Sequence, residues 1–439
     1  MNIAIIGAGI GGTTAATFLR EAFGHEVKIT VYEQAVQVGG RVAHIDFAGV
    51  QIETGATLIH SSNQHLSQLM AQLGLDPVAP HDGNPENRTV GIWNGRSFLL
   101  QTSPSSLRTN LTMLWRYRRS LLRLQRLVQE FIRPWEKIYE RQANGEAWQS
   151  PAELLQALDI FHLTQISSYD YFSQQGISER LITEFVDGAS RVNYGQDGQI
   201  NAFANAVSLT GAGLAGGDLF SVRGGNRLLC ERGLANAGVD LRLETAVSAI
   251  TSNPNGHYQV VTNATNTAHD IVIIATPLER TNITLSDIPL APNAEHRRGY
   301  QVTHATFVLG ELNPAAFGLS VAAQPPKTIL TTESPDIPFS SIGLTAVSPT
   351  GPIYKLFSRQ PLPDQTIATL FHNPRDTKRV TWHAYTKLKP TTTYPPFVLA
   401  PNLYYVNAME TAVSTMETES VASRNIVNLI QQAQNRAFR

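Results

Sequence analysis

The glycine-rich segment near the N-terminus has the spacing of a dinucleotide-binding turn. Gly7, Gly9 and Gly12 follow the apolar run 3–6, and small residues beginning at Thr13 come next. Gly7 permits a tight turn, Gly9 lets the backbone approach a pyrophosphate, and Gly12 lets a helix pack closely on a strand. The pattern therefore predicts a strand, a phosphate-binding turn and a helix.

An acidic residue completes this pattern. Glu33 directly follows a second apolar run, 27–32, and stands 21 residues after Gly12. A carboxylate at that strand end can accept hydrogen bonds from a ribose diol. The N–H groups of the helix start, Gly11 included, would face the phosphates, where the helix dipole favours negative charge. The order strand, turn, helix, strand and acid predicts a βαβ unit that binds a dinucleotide.

A second glycine pair distinguishes FAD from NAD as the predicted dinucleotide. Gly39, Gly40 and Arg41 come a few residues after the acid. This continuation is typical of amine-oxidase-like flavoproteins: the glycines bring N–H groups to the second phosphate region, and the arginine adds positive charge there. Simple NAD dehydrogenases do not need it. The sequence therefore favours FAD over NAD.

The elements needed to position these residues are spread along the whole chain. Strands are predicted at 241–250, 257–261, 270–277 and 403–407, followed by a helix from about Ser414 to the end, whereas the proline-rich segments 325–363 and 390–401 are predicted to be loops and edge connections. The predicted fold class is α/β, a Rossmann-type FAD-binding domain of the glutathione-reductase or amine-oxidase-like class interleaved with an α+β substrate domain. The predicted FAD-binding segments are 1–60, 218–280 and 396–439, and the predicted substrate-domain segments are 61–217 and 281–395.

Composition excludes several other classes of protein. The 439 residues carry a net charge of −1, which argues against nucleic-acid binding by the whole surface. The one cysteine, Cys230, excludes an intramolecular disulfide and a cysteine-rich zinc site, and no metal-ligand cluster or serine triad is evident. No run of 18 apolar residues occurs, and the N-terminus already forms a predicted strand, so we expect a cytoplasmic protein.

Residues 107–141 combine apolar side chains at helical spacing with nine basic residues and three glutamates. Pro134 is expected to interrupt or kink the predicted helix. One interpretation is a peripheral membrane contact that recruits a lipid-like substrate. The other is a helical cap whose arginine face is simply solvated, and composition alone favours this second one.

Several blocks together resemble the prenylcysteine oxidase family, also called prenylcysteine lyases. They are the glycine motif, Gly39-Gly40-Arg41, Leu58-Ile59-His60, 191–196 with 200–209, 222–230, and 403–410 with 414–417. The resemblance covers nearly the whole chain. It implies a tightly and non-covalently bound FAD and the glutathione-reductase-like fold. It also implies that hydride transfer to flavin cleaves the thioether of farnesyl- or geranylgeranyl-cysteine, giving cysteine, an isoprenoid aldehyde and H2O2.

The resemblance also implies roles for individual cofactor-binding residues. Ala56, Thr57 and Leu58 belong to the stretch that runs beneath the flavin ring. Val247 matches a strand position that pairs with adenine, and Glu410 lies where the last strand meets the pyrophosphate and ribityl chain. Thr415 and Met416 begin the helix that faces the N1/O2 edge of the flavin. Cys230 is expected to be a buried packing residue on a helix, with a covalent flavin link as the alternative.

Three residues are candidates for the chemistry itself. His60 could orient the attacking water or tune the flavin, or it could be a hydrogen-bonded structural histidine. Asn193 and Tyr194, with Gln196, could line the pocket over the flavin or form a polar structural turn. No essential protein base is required, because hydride loss leaves a cation that sulfur and the allylic double bond share.

Two other functions stay open at this point. One is another flavin oxidoreductase of the same fold, such as an amine oxidase or a carotenoid or isoprenoid desaturase; the other is a non-catalytic flavin- or lipid-binding protein. An amine oxidase usually carries a lysine that holds a water near the flavin. No lysine between Lys327 and Lys389 has a sequence context that assigns it to that role. The expected partners are a hydrophobic isoprenoid thioether and O2.

Overall fold

The computed structural model describes residues 1–80, 89–103, 105–253 and 256–437. Its helices, numbered along the chain, are α1 (Ile10–Phe23), α2 (Gln64–Gln72), α3 (Ser106–Tyr117), α4 (Arg119–Ala143), α5 (Pro151–Ala157), α6 (Ser168–Gln174), α7 (Glu179–Leu181), α8 (Asp187–Tyr194), α9 (Ala202–Gly211), α10 (Arg227–Ala237), α11 (Asp364–Leu370) and α12 (Met416–Ala437). A π-helical turn, Ile182–Val186, joins α7 to α8. No helix in these ranges combines the length and apolarity needed to cross a bilayer.

A six-stranded, mostly parallel sheet forms the nucleotide-binding side of the molecule. Its strands are β1 (Asn2–Ile6), β2 (Lys28–Tyr32), β10 (Asp240–Arg242), β14 (Ile271–Ile274), β21 (Val398–Ala400) and β22 (Leu403–Tyr405), in the order β10-β2-β1-β14-β22-β21. β1 and β14 lie at its centre and are almost entirely apolar, because both faces of a covered parallel sheet are buried. Only β21 runs antiparallel to its neighbour. This arrangement confirms the predicted Rossmann-type α/β class.

Helix α1 is held between two other helices. It packs against α10 and α12, and a Cβ atom on Gly233 of α10 would come within 2.6 Å of the Thr13 methyl group. Small residues on α1 and α10 therefore allow a close approach that fixes the N-terminus of α1 above the sheet.

A seven-stranded sheet forms the opposite side. Its strands are β7 (Val90–Trp93), β8 (Phe98–Gln101), β16 (Tyr300–Leu312), β17 (Thr328–Thr331), β18 (Ser341–Ser348), β19 (Gly351–Ser358) and β20 (Phe371–Thr386), in the order β20-β16-β19-β18-β17-β7-β8. The prediction of loops across 325–363 is therefore wrong, because β17, β18 and β19 all lie there. The prolines fall mainly in the connections, so they did not prevent pairing between them.

Three smaller sheets complete the description of strands. They contain β3 (His44–Phe47) with β4 (Val50–Glu53), β5 (Ile59–His60) and β6 (Pro77–Val78) on either side of β9 (Leu219–Val222), and β11 (Val247–Ser252), β12 (Tyr258–Thr262), β13 (Asn266–His269) and β15 (Thr284–Ser286) in the order β13-β12-β11-β15. The single strand predicted at 241–250 is wrong. The chain turns at Glu244, whose φ is 52°, and β10 and β11 belong to different sheets.

The arginine-rich segment forms two helices rather than one. α3 ends at Tyr117, Arg118 adopts a φ of 52°, and α4 then continues through Pro134 to Ala143. Of the two effects predicted for Pro134, an interruption or a kink, the interruption does not occur. The break lies instead at a non-glycine residue in the left-handed region, a conformation that costs on the order of 1 kcal/mol.

Candidate functional site

The glycines of the N-terminal turn differ in their surroundings: Gly7 and Gly12 are tightly packed, whereas Gly9 faces open space. Gly7 has a φ of +108°, and a Cβ on Gly12 would lie 1.9 Å from the Gly7 carbonyl oxygen. Gly9 differs: it is the N-cap of α1 with a φ of −78°, and its Cβ would contact only the Gly39 oxygen, at 3.6 Å. The fold itself therefore requires Gly7 and Gly12, whereas the space beside Gly9 is free for a ligand.

Glu33 lies at the end of β2, directly beside this turn. Its two carboxylate oxygens accept hydrogen bonds of 2.9 Å from the backbone N–H groups of Ala8 and Ala35. The Glu33 carbonyl accepts a bond from Thr245, two residues before Val247 and the start of β11. Glu33 and Val247 are thus brought to the same edge of the nucleotide domain, as a ribose and adenine site requires.

The second glycine pair approaches the first. The N–H of Gly39 donates to the Ala8 carbonyl over 2.9 Å, and a Cβ on Gly40 would come within 3.7 Å of the Gly9 Cα. Gly39 and Gly40 both have positive φ, at 114° and 56°. The two turns together form a narrow backbone cradle in which a side chain on the second turn would be strained.

Arg41 belongs to a buried charge cluster. Its guanidinium forms an ion pair with Glu410 and donates to the Ala384 carbonyl at 3.0 Å. Glu410 also accepts from Asn407 and Tyr300. Burial alone would raise the pKa of Glu410, but Arg41 and then Arg298 hold it below its ordinary value. Glu410 is therefore the buried counter-ion of Arg41.

Glu419 is the second acid of this cluster, and its surroundings show whether the cradle fits a cofactor. Burial and the adjacent Glu410 raise the pKa of Glu419 well above its ordinary range. Its Oε1 atom is buried and has no partner among the described residues, and neither has Asn407 Oδ1. Glu419 lies against Gly11 and lines the cavity described below. Orphaned polar atoms beside an open glycine turn fit a ligand with phosphates and hydroxyl groups.

Helix α12 begins at the same cavity. The N-cap Thr415 and Thr418 exchange hydrogen bonds: the Thr418 N–H donates to Thr415 Oγ1 at 3.0 Å, and the Thr415 N–H donates to Thr418 Oγ1 at 2.9 Å. This reciprocal cap fixes the helix start with Met416 on the cavity wall. The positive end of the helix dipole therefore faces the site, as predicted for an electron-rich ring edge.

The segment 55–58 is shaped by a residue that the sequence analysis did not single out. Asn226 is fully buried, and its amide donates to the carbonyls of Ala56 and Thr57 at 2.6 and 3.0 Å. Ala56 has a φ of 51°, which a non-glycine residue adopts only where its surroundings hold it. Asn226 is part of the 222–230 block used for the resemblance, and its position after two glycines was the available signal.

A cavity of about 770 Å³ lies between the nucleotide domain and the seven-stranded sheet. That volume is within the range of ligand pockets. Nine of the predicted site residues line it: Arg41, Ala56, Thr57, Leu58, His60, Asn193, Tyr194, Thr415 and Met416. The others lie outside its walls, on the nucleotide side: Gly7, Gly9, Gly11, Gly12, Glu33, Gly39, Gly40, Val247 and Glu410.

Lys355 of β19 is the cationic group that sequence reasoning did not place. Its ammonium donates to the Glu53 carbonyl at 3.1 Å and approaches Thr57 Oγ1 at 3.4 Å, on the cavity wall. Burial lowers the pKa of Lys355 to about 8. Phe357 and Trp382 line the cavity beside it, with ring centroids 6.2 Å apart. Its segment was wrongly predicted to be a loop, so no sequence signal marked it.

The three predicted catalytic residues, His60, Asn193 and Tyr194, lie where their contacts with the protein are mainly structural. Both ring nitrogens of His60 have partners, Ser62 Oγ at 2.8 Å and the Gly216 carbonyl at 2.7 Å. Asn193 donates to Ser208 of α9, and Tyr194 is buried against Tyr385. All three lie on the cavity wall, and hydrogen bonds hold the side chains of His60 and Asn193 in place. These contacts favour the structural interpretation of His60.

Two other residues of the 191–196 block, Arg191 and Gln196, make structural contacts. Gln196 does not line the cavity; it donates to the Thr386 carbonyl and accepts from the Leu388 N–H, each at 2.9 Å. Arg191 ties α8 to β17 through Thr331 and forms an ion pair with Glu333. These contacts favour the structural-turn alternative for Gln196 and give Arg191 a packing role.

Cys230 lies on α10, fully buried, as predicted. Burial raises the pKa of its thiol to about 12. A thiol that stays protonated is a poor nucleophile.

The fold and cradle together define a flavoprotein oxidoreductase. An NAD(P)-binding Rossmann-like domain matches residues 5–73. Cyclohexylamine oxidase from Brevibacterium oxydans has the same fold, with a TM-score of 0.69, 16% identity and 99% of each chain covered.

Most of the chain matches a more particular family. The prenylcysteine lyase family model matches residues 100–438, and this chain belongs to that family. It is 34% identical to farnesylcysteine lyase from Arabidopsis thaliana over 447 residues, covering 98% of this chain and 88% of the relative. It is also 34% identical to prenylcysteine oxidase 1 from Homo sapiens over 452 residues, covering 97% and 87%.

Proposed function

We propose that this protein is an FAD-dependent oxidase that cleaves the thioether of farnesyl- or geranylgeranyl-cysteine. The observation that carries the proposal is similarity over almost the whole chain to proteins named for that substrate. The cavity supports it, because its walls combine a cofactor cradle with apolar side chains such as Val207, Leu344 and Phe357. A long isoprenoid chain needs such a lining.

When bound, FAD supplies hydride abstraction from the carbon next to sulfur and passes both electrons to O2. Water then adds to the substrate cation and releases one proton, and the resulting hemithioacetal collapses to an aldehyde and a thiol. The balance is one thioether, one O2 and one water giving isoprenoid aldehyde, cysteine and H2O2.

This chain's residues have separate tasks in that reaction. The Gly7–Gly12 turn and Glu33 bind the nucleotide, and the start of α12 stabilises negative charge on the ring. Lys355, held by Glu53 and Thr57, orients the attacking water and takes its proton when the amine is neutral. FAD is held without a covalent bond, which agrees with the buried, protonated Cys230.

Product analysis in air tests the proposal. The flavin-loaded protein is mixed with farnesylcysteine, and farnesal, cysteine and H2O2 are measured together. Equal amounts of the three products are expected, with little turnover of cyclohexylamine or putrescine. Turnover of the amines without farnesal would contradict the thioether assignment, and no peroxide from any of these substrates would favour a non-catalytic flavin protein.

A further inference from the structure

An exposed apolar surface lies on the first arginine-rich helices, outside the cavity. Among the described residues, eleven large apolar side chains are exposed, and five of these fall between positions 107 and 122: Leu107, Leu111, Leu114, Trp115 and Leu122. Trp115 is 81% exposed. Such clustering is unusual, because exposed apolar residues are normally scattered singly.

Helical spacing places four of these side chains together. Leu107, Leu111, Leu114 and Trp115 stand at positions i, i+4, i+7 and i+8 of α3, which form one face of a helix. The opposite side of α3 is anchored. Arg116 forms two hydrogen bonds of 2.7 Å with Glu184, and the Tyr117 hydroxyl donates to the same carboxylate at 3.0 Å. These contacts therefore hold the apolar face of α3 toward solvent.

The charged residues of α3 and of the first part of α4 all have one sign. No Asp or Glu occurs between positions 87 and 129. Arg116 is paired with Glu184, whereas the other arginines near the face are exposed and form no ion pair within the described residues: Arg108, Arg118, Arg119, Arg123 and Arg126. Arg119, Leu122, Arg123 and Arg126 share one stripe of α4. These five arginines and the five apolar residues above are called the α3–α4 surface.

We infer that the α3–α4 surface docks on a bilayer that contains anionic phospholipid. Leucine and tryptophan side chains enter the headgroup boundary, while the arginines contact lipid phosphates and carboxylates. Charge complementarity selects this occupant over an apolar protein partner, because five unpaired arginines would be left desolvated against a neutral surface. The inference does not depend on the proposed reaction, and it reverses the expectation from composition that the arginine face is only solvated.

The test uses the full, flavin-loaded chain and sedimentation with phosphatidylcholine vesicles, with and without phosphatidylserine. Binding is expected only with phosphatidylserine and should be lost in about 0.5 M NaCl, because salt screens exposed charges within a few ångströms. Each arginine near an anionic surface strengthens binding about fivefold. Arg119→Glu with Arg126→Glu should therefore weaken it at least about 25-fold, and Leu111→Ser with Trp115→Ser at least tenfold.

A matched control alters the same residue types on the nucleotide domain. Leu241→Ser with Arg232→Glu removes an exposed leucine and an exposed arginine there, and vesicle binding should remain at the wild-type level. Flavin absorbance and the thermal midpoint confirm that each variant is folded. Three results would overturn the inference: no sedimentation with anionic vesicles, equal sedimentation of the wild type and the charge-reversed variant, or a homodimer that Trp115→Ser converts to monomer while lipid binding stays absent.

Discussion

Gly9 and Gly12 belong to one motif, but a side chain would meet different surroundings at each. A Cβ on Gly12 would collide with the Gly7 carbonyl, whereas a Cβ on Gly9 meets almost no protein atoms. A substitution at Gly9 is therefore the one among these glycines that should block cofactor binding without disturbing the fold.

Gly9→Val should fold but bind no flavin. Its extended φ and ψ of −78° and −171° suit valine, so the thermal midpoint of the apo-protein should stay within about 2 °C of wild type. The purified protein should be colourless because the valine occupies the phosphate position. A folded Gly9→Val protein with full flavin absorbance would contradict the nucleotide assignment.

Gly12→Ala is the contrasting change. The added methyl group forces α1 away from the Gly7 carbonyl, so we expect a loss of about 3 kcal/mol or more in unfolding free energy. Urea denaturation of the apo-protein measures this loss. Similar stability of Gly12→Ala and wild type would mean that the turn is less tight than described.

Lys355→Met should lower turnover while flavin binding persists. If the neutral amine accepts the proton of water, kcat/KM rises as pH passes through about 8, the pKa to which burial lowers Lys355. The methionine variant should lose about 100-fold in kcat and should lack this rise. Lys355→Arg is the control, since it keeps the charge but cannot deprotonate. An unchanged pH profile in both variants would exclude Lys355 from the reaction.

The same change should stabilise the apo-protein. A lysine whose folded pKa is about 8, below its unfolded value, costs stability at every pH below 8, and the cost disappears as pH rises toward the unfolded pKa. At pH 7 Lys355→Met should therefore raise the unfolding free energy by about 1–2 kcal/mol. The gain should shrink in denaturation curves recorded from pH 8 to pH 10, and a constant gain would point to packing instead.

At the scale of elements, α12 supports α2 through one carboxylate. Glu417 accepts hydrogen bonds from the N–H groups of His65 and Leu66 at 2.9 and 3.1 Å, and Asn63, the N-cap of α2, makes no side-chain cap. A residue from a distant helix thus replaces the local cap. This contact also joins the beginning of α12, which lines the cavity, to the helix after β5.

Glu417→Ala should lower the unfolding free energy by about 1–3 kcal/mol, because two buried N–H groups lose their acceptor. Glu417→Gln keeps one acceptor oxygen and should lose less. Burial raises the pKa of Glu417 to about 7, above its unfolded value, so its stabilising contribution is full in acid and is lost as pH rises to 7. Relative to wild type, Glu417→Gln should therefore gain stability in denaturation curves between about pH 4.5 and 7.

The sequence predicted those elements whose residue types are restricted by local structure alone. Apolar runs and glycine spacing identified β1, α1 and β2, because buried parallel strands and a tight turn restrict residue type strongly. The strands at 328–358 were missed because prolines in the connections dominated the interpretation. Nothing in residue type marks Arg118 as a helix break, since the surrounding packing and not local propensity holds its φ of 52°.

At the scale of the whole molecule, the candidate site forms between distant segments. The nucleotide domain supplies Ile10, Arg41 and Met416, and the seven-stranded sheet supplies Lys355 and Trp382. Arg41 was predicted because it belongs to the second glycine motif, and Met416 because it lies in a block that carries the family resemblance. Lys355 could not be predicted, because only the pairing of β19 with β16 and β18 brings it to the cavity. The segment boundaries of the two domains remain a prediction.

Anaerobic mixing of the purified protein with farnesylcysteine, followed by the visible flavin absorbance, decides whether this chain is a thioether oxidase. We expect a yellow protein that bleaches rapidly, forms farnesal in an amount equal to the flavin, and regains its colour with release of H2O2 when air is admitted. A yellow protein that never bleaches with farnesylcysteine or geranylgeranylcysteine would contradict the thioether oxidase assignment while leaving the flavoprotein fold in place.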